Sequence, residues 1–285
     1  MTSTTWRTGV LTTLAMIAFA ANSILCRMAL KDELIDPVSF TQIRLAAGAL
    51  ALFPFLLARR ARVLPIRPRD LAPAFALFAY SIGFSLAYVG LDAAAGALIL
   101  FACVQISMIA IGAASGARPK ALEWTGFAVA FAGLVYLLSP GLSAPPVASA
   151  LLMAAAGVAW GVYSVLGRGA ADAVAATARN FALALPFAAL LLLAGAPWSD
   201  AAPAGVGLAV LSGAVTSGLG YVIWYAALKG LSAMAAPIVQ LSVPVIAAAG
   251  GVALLGEPLT FRLALASVFI LGGIFVTVMS GRRRA

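Results

Sequence analysis

The chain of 285 residues contains no histidine, and only 9% of it is charged. The first absence removes imidazole metal ligands, His-based triads and His proton relays. The second removes the surface that a water-soluble domain needs, since such domains carry roughly 25% charged residues. Cysteine is nearly absent as well. Cys26 and Cys103 both fall within apolar runs, where a thiol serves as a small hydrophobe, so they point to neither a disulfide framework nor a metal site. There is no nucleotide-binding glycine loop and no pair of acids inside an apolar run. Enzymatic chemistry and a cofactor are therefore not expected.

What fills the chain instead is hydrophobic sequence, 64% of the residues. It is arranged in runs near residues 8–30, 37–58, 71–91, 93–112, 122–139, 147–167, 175–195, 205–228, 232–254 and 260–280. Each is about 20 residues long, enough for a helix to cross a hydrocarbon core of roughly 30 Å. The first run is longer than a signal-peptide core and is read as a retained helix.

The net charge of +9 would suggest nucleic acid as a partner in a soluble protein. Its placement argues for topology instead. With both termini cytoplasmic, thirteen basic residues fall on the cytoplasmic side, from Arg7 and the Arg59–Arg69 stretch to Arg168, Lys229 and Arg282–Arg284, while Lys31 and Arg262 alone fall outside. That asymmetry is the positive-inside bias, and an even number of spans follows from it. The fold class expected is an all-α integral membrane protein of ten transmembrane helices, with the lipid bilayer as its main partner and no nucleic acid.

Short strings recur between the two halves. Ser23-Ile24-Leu25 with Arg27 returns as Ser164-Val165-Leu166 with Arg168, and Arg44 returns as Arg179. Tyr88-Val89-Gly90-Leu91 returns as Tyr225-Ala226-Ala227-Leu228, and Val104-Gln105-Ile106-Ser107 as Val239-Gln240-Leu241-Ser242. The offsets are 141, 135, 137 and 135, in one order, as a duplication would leave them. The expected units are residues 1–140 and 141–285. Each holds five spans, so the second must enter the membrane from the opposite side. Inverted repeats of this kind are a common plan of secondary transporters that bind substrate near mid-membrane and alternate access by rocking.

With this plan, Pro244 in the ninth run and Leu255-Gly256-Glu257-Pro258-Leu259-Thr260 leading into a last run with Gly272 and Gly273, the chain resembles the drug/metabolite transporter superfamily, in particular its EamA-type branch of ten-helix exporters. The first half departs from the end-of-repeat pattern, with Gly116-Ala117-Arg118-Pro119 in its place. The general look is similar to bacterial exporters of aromatic amino acids. The resemblance implies a carrier in the bacterial inner membrane that exports small metabolites such as amino acids.

Polar side chains within the runs mark either a cavity or helix-to-helix contacts. Gln105 and Gln240 form a repeat-related pair whose amides suit a zwitterionic solute. Tyr80, Trp160, Tyr163, Tyr221 and Trp224 lie deep, and Ser217, Tyr221 and Trp224 share one face of their run, as Tyr80, Phe84 and Tyr88 do of theirs. Together with Asn22 these are the expected substrate-binding residues, against the plainer reading that they are ordinary packing.

Arg44 and Arg179 are read as structural, snorkelling to an interface or pairing with a loop carbonyl, although either could meet a substrate carboxylate. Arg27 and Arg168 are read as end anchors. Trp6 and Trp124 are expected at the membrane interface. Glu257 reads as a helix-start acid, and no acid lies within a run, which disfavours proton-coupled export of cations. Pro54, Pro186, Pro237 and Pro244 are candidate kinks for gating. The alternatives are a carrier of another small metabolite and a non-transporting scaffold. Composition decides neither substrate nor oligomeric state.

Overall fold

A computed structural model describes residues 3–58, 67–114, 121–139, 141, 144–167, 172–194, 200–231 and 239–281. Among them there is helix and no strand. The helices are α1 (Ser3–Lys31), α2 (Pro37–Ala58), α3 (Leu71–Tyr88), α4 (Ala93–Ala114) and α5 (Ala121–Leu138), followed by α6 (Val147–Leu166) and α7 (Ala173–Leu190). Next come α8 (Pro203–Leu211), a π-helical segment (Ser212–Leu219) and α9 (Gly220–Leu228), which run on as one rod, then α10 (Ser242–Leu255) and α11 (Phe261–Gly281). Seven of the described helices are long and apolar enough to cross a membrane, and three shorter apolar ones, Trp124–Leu137, Ser242–Leu255 and Phe261–Val276, accompany them.

Helix ends follow the sequence. In lipid each unpaired terminal N–H or C=O is expensive, so polar residues gather at the starts. Asp36 accepts from the amides of Val38 and Ser39, both at 2.9 Å, ahead of Pro37 in the first turn of α2. Asp172 does the same for Val174 and Ala175 at 3.0 and 3.1 Å, and Thr260 Oγ1 accepts from Leu263 at 3.1 Å. α10 stops at Gly256, whose φ of 64° is the left-handed conformation that glycine adopts without strain.

The surface and interior are reversed relative to a soluble protein. Leu50 and Phe261 are 72% and 78% exposed, with many other large apolar side chains beside them, whereas Asn22, Ser23, Thr41, Gln42, Arg44, Ser85, Thr216 and Ser217 are buried. Such a distribution is stable where the outer solvent is hydrocarbon and internal polar groups satisfy one another.

α1 packs on the π segment, α9 and α10; α2 on α7 and the π segment; α3 on α6 and α7; α4 on α6 and α10; and α5 on α11. Small residues permit the closest crossings. A Cβ on Gly157 would come 2.7 Å from the Leu100 carbonyl oxygen, and one on Gly213 would run into the backbone of Arg44.

The candidate kinks differ in setting. Pro244 stands beside an interruption of the ninth run: residues 239–240 are helical, Leu241 is a turn, and Pro244 falls in the first turn of α10, where its missing N–H would have no helical partner anyway. Pro54 and Pro186 do lie inside helices. Pro237, Arg168 and residues 116–119 lie outside the described residues, as does the start expected for the ninth run. Cys26 and Cys103 are free and buried.

Candidate functional site

The buried polar groups converge where the two halves meet. Asn22 of α1 is the hub. Its Oδ1 accepts from Ser212 Oγ at 2.6 Å and Thr216 Oγ1 at 3.2 Å, and its Nδ2 donates to the Tyr80 hydroxyl at 3.3 Å. Nη2 of Arg44 donates to the same Tyr80 oxygen at 3.1 Å, and Nε to Ser217 Oγ at 3.3 Å. Tyr80 thus accepts twice, from Asn22 and from Arg44.

The π segment makes this meeting possible. Closing i→i+5 bonds, it holds more residues per turn than an α-helix, and such segments occur mostly at functional sites. Here the wider turn lets Ser212 and Thr216 reach Asn22 while Ser217 reaches Arg44. The single Thr216 hydroxyl proton is shared between Asn22 Oδ1 and the Ser212 carbonyl, which lies at 2.9 Å.

Around the polar hub stands an aromatic wall. Trp160 lies 4.8 Å from Tyr80, 4.9 Å from Tyr221 and 6.5 Å from Phe19 between ring centroids. Phe19 in turn sits edge-on to Tyr221 and Trp224, both at 5.9 Å. Between these groups is a cavity of ≈ 20 Å³, lined by Phe19, Asn22, Ser23, Tyr80, Phe84, Leu100, Phe101, Trp160, Thr216 and Tyr221. That volume holds about one water. A metabolite enters only if the walls part.

Arg44 lies against this wall at 1% exposure, with its guanidinium carbon 5.2 Å from the Tyr80 ring centre and 5.0 Å from that of Phe84. Each ring face returns about 0.5–2 kcal/mol to the cation, against a desolvation cost of several kcal/mol. Nη1 has no hydrogen-bond partner. The expectation of a snorkelling arginine is thus overturned, because the rings of α3 hold it inward.

Of the residues expected to bind substrate, Asn22, Tyr80, Trp160 and Tyr221 line the cavity. Ser217 stands behind it, on Arg44. Tyr163 and Trp224 are one ring removed: Tyr163 is 5.2 Å from Trp160, with its hydroxyl against Asn180 and Thr177, and Trp224 backs Phe19. Gln105 and Gln240 are not among the lining residues. Gln105 is buried one turn beyond Phe101, on the same face of α4, and Gln240 is half-buried just before α10. The sequence reading passed over Phe19, Leu100, Phe101, Ser212 and Thr216. Phe19, one helical turn before Asn22, and the Ser212–Thr216 pair carried a spacing signal; Leu100 and Phe101 carried none.

A second cluster closes one end of α1. Arg27 donates from Nε to Glu257 at 3.2 Å, from Nη2 to Asp92 at 3.3 Å, and from Nη1 to the carbonyls of Tyr88 and Val89 at 2.9 and 3.0 Å. Glu257 also accepts from the Ala93 amide at 2.8 Å, and Lys31 caps the Leu255 carbonyl at 3.1 Å. Arg27 is therefore an ion-pair centre and not an end anchor. Glu257 serves the start of α4, 164 residues away in sequence, and not its own helix, because Gly256 turns the chain back toward α4. Burial pushes its carboxyl above the ordinary carboxylate value, against the opposing pull of the Ala93 amide and Arg27. Arg179 pairs with Asp70 at 3.3 Å.

Among the described residues no group of His, Cys, Asp or Glu is placed to hold a metal. Comparison with known proteins places the fold. Residues 147–279 match the EamA-like transporter family. The uncharacterized protein PA1977 of Pseudomonas aeruginosa is 53% identical over 268 residues, 94% of this chain and 93% of that one. The uncharacterized inner membrane transporter YedA of Escherichia coli K12 is 29% identical over 135 residues, 46% of this chain and 44% of YedA. A crystal structure of a protein superposes with a TM-score of 0.69 at 19% identity, covering 97% of this chain and 98% of the other, a likeness of fold. A polar and aromatic cavity inside an apolar-surfaced helical bundle agrees with these matches: the chain is a multi-pass bacterial inner-membrane protein whose residues 147–279 match the EamA-like transporter family.

Proposed function

We propose that the protein is a secondary carrier exporting small metabolites, amino acids with aromatic or other hydrophobic side chains foremost, by alternating access between two inverted five-helix units. The observation that carries the reading is the cavity itself. Its walls come from α1, α3 and α4 of the first half and from α6, the π segment and α9 of the second, and they combine hydrogen-bonding groups with flat aromatic faces. That is a site for a solute with a polar head and an apolar body.

The helix pairings support the repeat. Count α8, the π segment and α9 as one span, and exchange each span for the one five places along. The pairing of α1 with α9 then becomes α6 with α3, that of α1 with α10 becomes α6 with α4, and that of α2 with the π segment becomes α7 with α3, while α2–α7, α4–α10 and α5–α11 map onto themselves. All of these pairings occur. Ten spans with both termini cytoplasmic fit the arginine distribution.

The test is flux of isotope-labelled amino acids in proteoliposomes. Saturable flux of phenylalanine, tyrosine or tryptophan is expected. Movement of a different metabolite alone would overturn the amino-acid assignment, and absence of any saturable flux would overturn the carrier. Topology has its own check: labelling that found residues 62 and 229 on opposite faces of the membrane would sink the inverted arrangement.

A further inference from the structure

We infer that Arg44 binds the anionic group of the substrate, so that the site selects aryl-bearing carboxylates and does not require an ammonium group. The inference deepens the carrier reading and rests on it. A guanidinium offers five N–H donors in a fixed fork suited to a carboxylate. On Arg44 the bonds recorded use two nitrogens, both on neutral hydroxyls of Tyr80 and Ser217. Nη1, buried with the rest of the side chain, has no partner.

Among the described residues the charge also lacks a counter-ion. The ion pairs recorded among the described residues join Arg27 to Asp92 and Glu257, and Arg179 to Asp70. The groups that interact electrostatically with Arg44 are Tyr80, Tyr221 and Cys26, with no carboxylate among them. A buried cation without an acid is poorly compensated in low dielectric, and a ligand that brings the acid completes it. A cationic ligand meets repulsion instead.

The position suits that role. Tyr80 and Phe84, over whose rings the guanidinium lies, are themselves walls of the cavity, and Trp160, a further wall, packs directly against Tyr80. A carboxylate drawn to Nη1 would leave its aryl group among these rings. For an ammonium group provision is thinner. Asn22 Oδ1 already accepts two hydroxyl donors.

Four phenyl compounds separate the charges: 3-phenylpropionate, L-phenylalanine, L-phenylalaninamide and phenethylamine. Binding to the full chain in lipid nanodiscs is read by tryptophan fluorescence at pH 7. The two carboxylates are expected to bind, with 3-phenylpropionate no weaker than L-phenylalanine, and the two purely cationic compounds about 10- to 100-fold more weakly, the worth of one charge-assisted contact. Arg44→Gln is expected to remove that discrimination and Arg44→Lys to keep part of it. Phenethylamine binding as tightly as 3-phenylpropionate would leave the pocket standing and overturn the anion assignment, as would discrimination that survives in Arg44→Gln. If none of the four binds, the aromatic pocket and this inference fall together. The ligand series on the unsubstituted chain decides the matter even if the variants do not fold.

Discussion

Arg27 and Arg44 sit one helix apart, and the protein treats them in opposite ways. Arg27 has two carboxylates, and two backbone carbonyls complete its shell. Arg44, more deeply buried, has two hydroxyls, two aromatic faces and a nitrogen with nothing to bond. A structural cation is surrounded by acids from the chain. A cation left short of them is held ready for something that comes and goes, and the difference separates the part of the molecule that must stay shut from the part that must exchange its contents.

The contrast can be broken from either side. The largest effect is expected from Glu257→Ala, which leaves Arg27 and the Ala93 amide without their shared acceptor. Removing one partner of a buried pair costs about 3–5 kcal/mol, and because Asp92 remains the lower end applies. Thermal unfolding in detergent measures it, and an unchanged midpoint would mean that the cluster does not hold the structure.

Ser217→Asp does the reverse, giving Arg44 the internal acid that Arg27 has. Binding of 3-phenylpropionate should fall about 100-fold, equivalent to about 2.7 kcal/mol, with no loss of thermal stability. Undiminished binding in this variant would erase the distinction between the two arginines. A smaller loss, about 1–2 kcal/mol in stability, is expected for Tyr80→Phe, which strips the shared acceptor from Asn22 and Arg44.

The smallest effect concerns pH. Because burial raises the proton affinity of Glu257 in the folded chain, this carboxyl adds stability that is fully present below its ordinary value of 4.5 and is lost as pH rises through the folded value. Arg27, Asp92 and Lys31 surround it. Comparing midpoints across that window, Glu257→Gln should be flatter than the parent chain.

Much of the fold was legible because hydrocarbon is a strict solvent. Helix ends at Asp36, Asp172 and Gly256 follow from residue type, and the edges of most runs lie within a few residues of the observed helices. Asn22, Tyr80, Trp160 and Tyr221 were marked out by being polar or amphipathic at depth. What stayed hidden was partnership across long separations. Periodicity says which face of α1 carries Arg27, not that Glu257 lies 230 residues further on to meet it. Gln105 and Gln240 attracted notice as a repeated string, yet repetition alone puts neither beside the cavity. Arg44 was misjudged because proximity to a run's end is a linear measure, whereas its environment is set by the rings of α3.

The π segment remained wholly unseen, since nothing in Ser212–Leu219 distinguishes an i→i+5 turn from an ordinary one. Its effect reaches beyond the hydroxyls it delivers. A turn wound this way stores about one surplus residue, so rewinding one turn to the α pitch would spin everything after it by about 100° relative to α8. Tyr221 and Trp224 stand directly downstream, and the rod works as a crankshaft: rewinding at full length would swing both rings away from Phe19 and Trp160, whereas deleting one residue between 213 and 215 removes the surplus and should leave both rings, and the tryptophan emission, where they are.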